Sequence, residues 1–191
     1  GSADNLLTRC LSLDDSAVPF GKATTAKDKL QEYNNWNSSN WIESETELEV
    51  GYQKGEGDFF VHETNPLKLI HRLHPDQFID GKNNLWTGDF KWQNLIFIAP
   101  DDIETIKNLA GAKRTDMDHN QMFKRQMEMY NSLLPEASYI IKFTNILTYD
   151  NFSAEVEKLC DLIGVTYYQI YVKQLWDKWY EETTALVWLP K

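Results

Sequence analysis

Asn94-Leu95-Ile96-Phe97-Ile98-Ala99-Pro100-Asp101-Asp102 is the stretch from which the rest of the chain is read. Its unbroken apolar run is too short for a helix and predicts a strand buried on both faces, as in a parallel sheet. Asp101-Asp102 predicts the cap of a helix from Ile103 to about Ala110, with acidic groups at its positive end and Gly111 as its stop. Further on, Ser138 to Phe143 reads as a second strand of the same buried type. Between the two, Asp118 to Leu134 predicts a longer helix with Met122, Phe123, Met127 and Tyr130 on one side, ended by Pro135. Asn151 to Ile163 is amphipathic, with Phe152, Val156, Leu159, Cys160 and Ile163 inward, and Gly164 stops it. Tyr167 to Thr183 reads as a last helix carrying Trp176 and Trp179. Strands alternating with helices predict an α/β fold with a mostly parallel sheet flanked by helices.

Working towards the N-terminus, Gly81 to Trp92 reads as a Trp-bearing loop and Gln77 to Asp80 as a short strand. Leu67 to Leu73 reads as one or two helical turns closed by His74-Pro75. Asp58 to His62 is a short strand ended by Asn65-Pro66. Residues 17–57 form a loop-rich insertion within a single domain spanning 1–191, with Thr25 to Tyr33 as a candidate helix and an Asn- and Ser-rich break after it. Asn5 to Leu13 reads as a helix with Leu6, Leu7, Cys10, Leu11 and Leu13 on one stripe.

The 191 residues favour one domain, able to bury roughly 70% of the surface its unfolded chain exposes. With 42% apolar and 13% aromatic residues, disorder from end to end is excluded. A net charge of −10 argues against general phosphate neutralisation, hence against general nucleic-acid binding, while leaving room for a local basic pocket. No apolar run is long enough to span a membrane, and Gly1 to Asn5 carry neither a basic nor an apolar leader region, so a cytoplasmic protein is expected. Cys10 and Cys160, far apart and each within an apolar helical pattern, read as two buried thiols rather than a staple. His62, His71, His74 and His119 show no zinc spacing, so no metal centre is expected.

Two segments carry a family likeness. Tyr139-Ile-Ile-Lys-Phe-Thr-Asn-Ile-Leu-Thr-Tyr-Asp, followed by Ala154-Glu-Val-Glu-Lys-Leu-Cys-Asp-Leu-Ile-Gly164, resembles the late strand and the closing "Phe-Leu-Gly" helix of the sulfotransferases. Asn94 to Asn108 is similar to that family's other central strand and its helix, and Asn5 to Asp14 to the helix after its phosphate loop. Together these segments spread over about 130 residues. The resemblance implies a P-loop-type α/β layer that binds the sulfuryl donor 3′-phosphoadenosine 5′-phosphosulfate (PAPS) and passes its sulfuryl group to a hydroxyl or amine acceptor, a small molecule or carbohydrate. It places the strand feeding the phosphate loop before residue 1 and the loop itself at Gly1-Ser2-Ala3-Asp4-Asn5, so Ser2 and Asn5 are the implied donor contacts. Here Ala3 stands for the family's glycine, Asp4 adds negative charge, and the loop cation is missing.

The family's second donor element, Arg-Asp-Pro-Arg-Asp-Val, reads Ile98-Ala99-Pro100-Asp101-Asp102-Ile103 here. Neither its Arg nor the following Ser is kept, Asp101 would repel a phosphate there, and Arg114 is the candidate replacement. The family's acceptor-activating base matches His62 or Glu63, where a strand's carboxyl end suits a proton acceptor. The alternative is a catalytically inactive scaffold of the same architecture that acts in binding or assembly.

Other features have plainer readings. Gly21-Lys22-Ala23-Thr24 lacks the rest of a Walker A loop, since position 16 is Ser and no strand precedes it. The cluster Lys68, His71, Arg72 and His74 reads as an exposed helix face, and Trp86 and Trp92 as packing residues.

Overall fold

The computed structural model describes residues 3–17, 23–35, 61–62, 65–66, 94–113, 124, 127–128, 130–132 and 134–185. In chain order its elements are α1 (Asp4–Leu11), α2 (Ala26–Asn35), β1 (Val61–His62), β2 (Asn65–Pro66), β3 (Ile96–Ala99), α3 (Ile103–Lys113), β4 (Tyr139–Lys142), α4 (Phe143–Ile146), α5 (Tyr149–Ile163) and α6 (Gln169–Thr184), with a 3-10 turn at Leu134–Glu136. The fold is mixed α/β and mostly helical. Its described strands form two two-stranded sheets, β1–β2 antiparallel and β3–β4 parallel.

The chain divides into two compact units. One comprises Gly1–Asp4, Leu73–Glu155 and Trp176–Lys191; the other comprises Asn5–Arg72 and Val156–Leu175.

The first unit contains the two strands that anchor the sequence reading. They pair in register from Ile96 opposite Tyr139 to Ala99 opposite Lys142. Parallel neighbours need a long crossover, and α3 with helical backbone at Lys124, Met127, Glu128 and 130–132 provides it. The register is set at the amino end, where Ser138 donates its N–H to the Leu95 carbonyl (2.8 Å) and its Oγ accepts the Leu95 N–H (3.1 Å). Burial on both faces is not what these strands show. β3 is half-buried throughout, and in β4 Ile141 is fully buried while its neighbour Ile140 is 46% exposed. Alternate residues of a strand point to opposite faces, and in β4 only one face is covered. Leu109, Phe143, Ile146, Leu147 and Phe152 are buried beside Ile141 in this unit's apolar set. Trp176 donates its indole N–H to the Ile146 carbonyl (2.9 Å), stacks on Tyr180, and meets Tyr149 edge-on.

In the second unit, Leu6, Leu7, Cys10, Leu11, Leu13, Leu30, Tyr33, Val156, Leu159, Cys160 and Val172 are all buried. Both cysteines are free thiols, as the sequence predicts. Gly164 ends α5 with φ 68, and the Val165 N–H reaches back to the Cys160 carbonyl (2.9 Å) while the Gly164 N–H reaches Asp161 (3.3 Å). This is the left-handed glycine cap that the sequence predicts at that position.

Several boundaries differ from expectation. Gly111 does not stop α3, which continues to Lys113, because a glycine ends a helix only where the chain turns left-handed. Phe143, expected as the end of a strand, opens the short helix α4. Asn65-Pro66, expected as a strand terminator, is itself β2, with Pro66 opposite Val61. Residues 58–60 of the predicted Asp58–His62 strand, the turns at Leu67–Leu73, the Gln77–Asp80 strand, the Gly81–Trp92 loop and most of the 17–57 insertion lie outside the described residues.

Candidate functional site

In an open α/β sheet, ligands sit outside the carboxyl ends of the strands, so the residues leaving β3 and β4 come first. After Pro100 the chain turns through Asp101 and Asp102. Asp102 caps α3, its Oδ1 accepting the Thr105 N–H (3.1 Å) and its Oδ2 the Thr105 hydroxyl (2.6 Å). These bonds, that from the Thr105 side chain foremost, hold the Asp102 carboxyl below its ordinary value. Asp101 reaches the other strand's exit. Its Oδ1 accepts the Thr144 N–H (3.0 Å) and its Oδ2 the Thr144 hydroxyl (2.5 Å). Lys142, at the N-cap of α4, makes no side-chain cap bond. Asp101 thus caps α4 from across the sheet, and α3 and α4, which follow β3 and β4, each have a carboxylate of this chain at their positive end.

Behind this edge, Tyr139 donates its hydroxyl to Glu155 Oε2 (2.6 Å) and Asn145 donates its amide to Glu155 Oε1 (3.0 Å). Burial first, and the adjacent carboxylate second, push the Tyr139 phenol up to about 12. It therefore stays a donor at neutral pH. The trio ties the start of β4 to α5 and leaves neither oxygen of Glu155 idle.

The second unit holds a buried polar knot. Asp14, 7% exposed, accepts Ser16 N–H and Oγ–H on Oδ1 and the Thr166 N–H on Oδ2 (2.7 Å). Burial alone would raise its carboxyl, but these bonds outweigh it and hold the group at about 2. Lys29, 1% exposed, donates its ammonium to the carbonyls of Asp14 (2.5 Å) and Ala17 (3.0 Å). Burial lowers its pKa against the opposing pull of Asp15 and Asp14. Asp15 accepts the Ala26 N–H at the start of α2 (2.9 Å), and Ser12 shares a hydrogen bond with the Tyr33 hydroxyl (2.9 Å). Such a saturated knot fixes the turn after α1 and offers no spare base or nucleophile. An open hollow of about 370 Å³ runs along α2, lined by Ala23, Asp28, Gln31, Glu32 and Asn35.

Among the residues assigned by sequence, Ser2, Glu63 and Arg114 lie outside the described residues, and His62 is described only as backbone in β1. Asn5 occupies the first turn of α1, and its Oδ1 is buried with no hydrogen-bond partner among the described residues. Just before α1, Ala3 has φ 64, the left-handed region that favours glycine. The described residues assemble no site from these five. The implied donor can still be tested against them in two places. At the loop, the backbone course at Ala3 and the orphaned amide oxygen of Asn5 suit a close-lying polar ligand. At the exit of β3, the two capping carboxylates do not suit the donor's ribose-side phosphate.

Sequence reading missed the Asp14–Lys29 knot, because its partners are separated by up to 152 positions. It also missed the Asp101–Thr144 clamp, for which a carboxylate out of character with the family motif was the available signal. Among the described residues no group of three or more His, Cys, Asp or Glu is placed to hold a metal ion. Likewise none of the described helices is long and apolar enough to cross a membrane. Comparison with protein-family models, with curated proteins and with solved structures finds no match to this chain.

Proposed function

We propose that this chain is a sulfotransferase-like α/β protein with a mostly parallel sheet, acting in the cytoplasm. Its proposed activity is transfer of a sulfuryl group from a nucleotide phosphosulfate, PAPS in the resemblance, to the hydroxyl or amine of a small molecule or carbohydrate. The observation that carries this reading is the left-handed Ala3 directly ahead of α1, at the register where the resembled loop has glycine. Ser2 and Asn5 would line that loop, Arg114 would supply the missing cation, and His62 or Glu63 would take the acceptor's proton.

A second reading, a catalytically silent scaffold for binding or assembly, is favoured by the carboxylates at the N-termini of α3 and α4. Transfer of labelled sulfuryl groups to a panel of hydroxyl and amine acceptors separates the two. The enzyme reading expects transfer by the native chain and a loss of about a hundredfold or more in the His62→Ala/Glu63→Ala double variant. Transfer that is unchanged in the double variant removes the base assignment. No transfer by a folded chain favours the scaffold.

A further inference from the structure

We infer that the carboxyl edge of β3 and β4 excludes the donor's ribose-side phosphate, so the nucleotide taken by this chain carries a free ribose 3′-hydroxyl, as in the adenosine 5′-phosphosulfate class. The inference rests on the nucleotide-donor reading above and narrows its substrate.

A phosphate is ordinarily received at such an edge by free N–H groups at a helix N-terminus, or by a cation. Here the α3 cap is filled by Asp102, through its two bonds to Thr105. In α4 the Thr144 N–H is taken by Asp101, whose second oxygen holds the Thr144 hydroxyl. Between them Asp101 and Asp102 bring two negative charges to the place where a phosphate needs donors. Because both carboxylates are internally bonded, admitting a phosphate means breaking caps as well as opposing charge. Like charges set side by side at a binding surface discriminate strongly against the wrong ligand. A ribose hydroxyl meets no such barrier, since a carboxylate oxygen has a second lone pair with which to accept it.

The test is titration calorimetry at fixed moderate salt with adenosine 5′-monophosphate and with adenosine 3′,5′-bisphosphate. The native chain and Asp101→Asn are compared; the variant removes the charge while keeping an oxygen for Thr144. The monophosphate is expected to bind about tenfold tighter than the bisphosphate to the native chain. In Asp101→Asn the bisphosphate gains and the gap narrows at least threefold, with the monophosphate unchanged. An equal or tighter bisphosphate in the native chain overturns the inference and leaves the donor reading standing. A gap that persists in both Asp101→Asn and Asp102→Asn, each folded by circular dichroism, overturns the assignment to this edge. Failure of both nucleotides to bind overturns the donor reading itself, and the inference falls with it.

Discussion

At Asp14 two opposing effects act on one carboxyl. Removal from water favours the neutral acid, while the Ser16 and Thr166 donors favour the carboxylate and prevail, leaving the group at about 2 against an ordinary 3.8. A carboxyl held below its unfolded value stabilises the fold fully above that value and loses the contribution as pH falls through it. Asp14 therefore contributes about 2 kcal/mol at neutral pH, lost between about pH 4 and pH 2. Urea unfolding of the native chain and of Asp14→Asn across this range should show the acid-side loss in the former only. Parallel pH profiles would contradict the assignment. Lys29 illustrates why such a knot is illegible in sequence: lysine reads as a surface residue, and its partners here are main-chain carbonyls that carry no sequence signal.

Among the elements, legibility followed local chemistry. The end of α5 was readable at Gly164 because a left-handed cap calls for that residue, and φ 68 with the two back-bonds to Cys160 and Asp161 bears this out. Gly111 looks the same in sequence but remains helical, since no such back-folding turn follows it. Gly164→Ala should accordingly lower stability by about 1 kcal/mol, read as a drop of roughly 2–4 °C in Tm for a chain of this size. An unchanged Tm would mean that the cap is not under the constraint described. The β3 and β4 segments were readable from their apolar runs, and so was their parallel pairing, which follows from the helical crossover between them. Their exposure was not, because Ile140 and Ile141 are chemically alike and only the packing of one face distinguishes them.

Across the whole molecule, apolar patterning set the buried side chains of both compact units, and it placed Cys10 and Cys160 among them as free thiols. Burial, together with neighbouring negative charge, pushes the Cys160 thiol up to about 12, so neither patterning nor chemistry marks it as a nucleophile. The candidate site was less legible than the fold, since its assigned residues come from a family register rather than from a pattern that packing enforces. Asn5, with its orphaned amide oxygen, and Ala3, with its left-handed backbone, are the two places where structure adds physical support. The most direct test is amide hydrogen exchange with and without adenosine 5′-monophosphate. The account predicts slowed exchange at Ala3, Asp4, Asn5 and Leu6 on adding the nucleotide, as a phosphate engages the N-terminal amides of α1. Exchange unchanged at these four residues, or slowed only elsewhere in the chain, would contradict it.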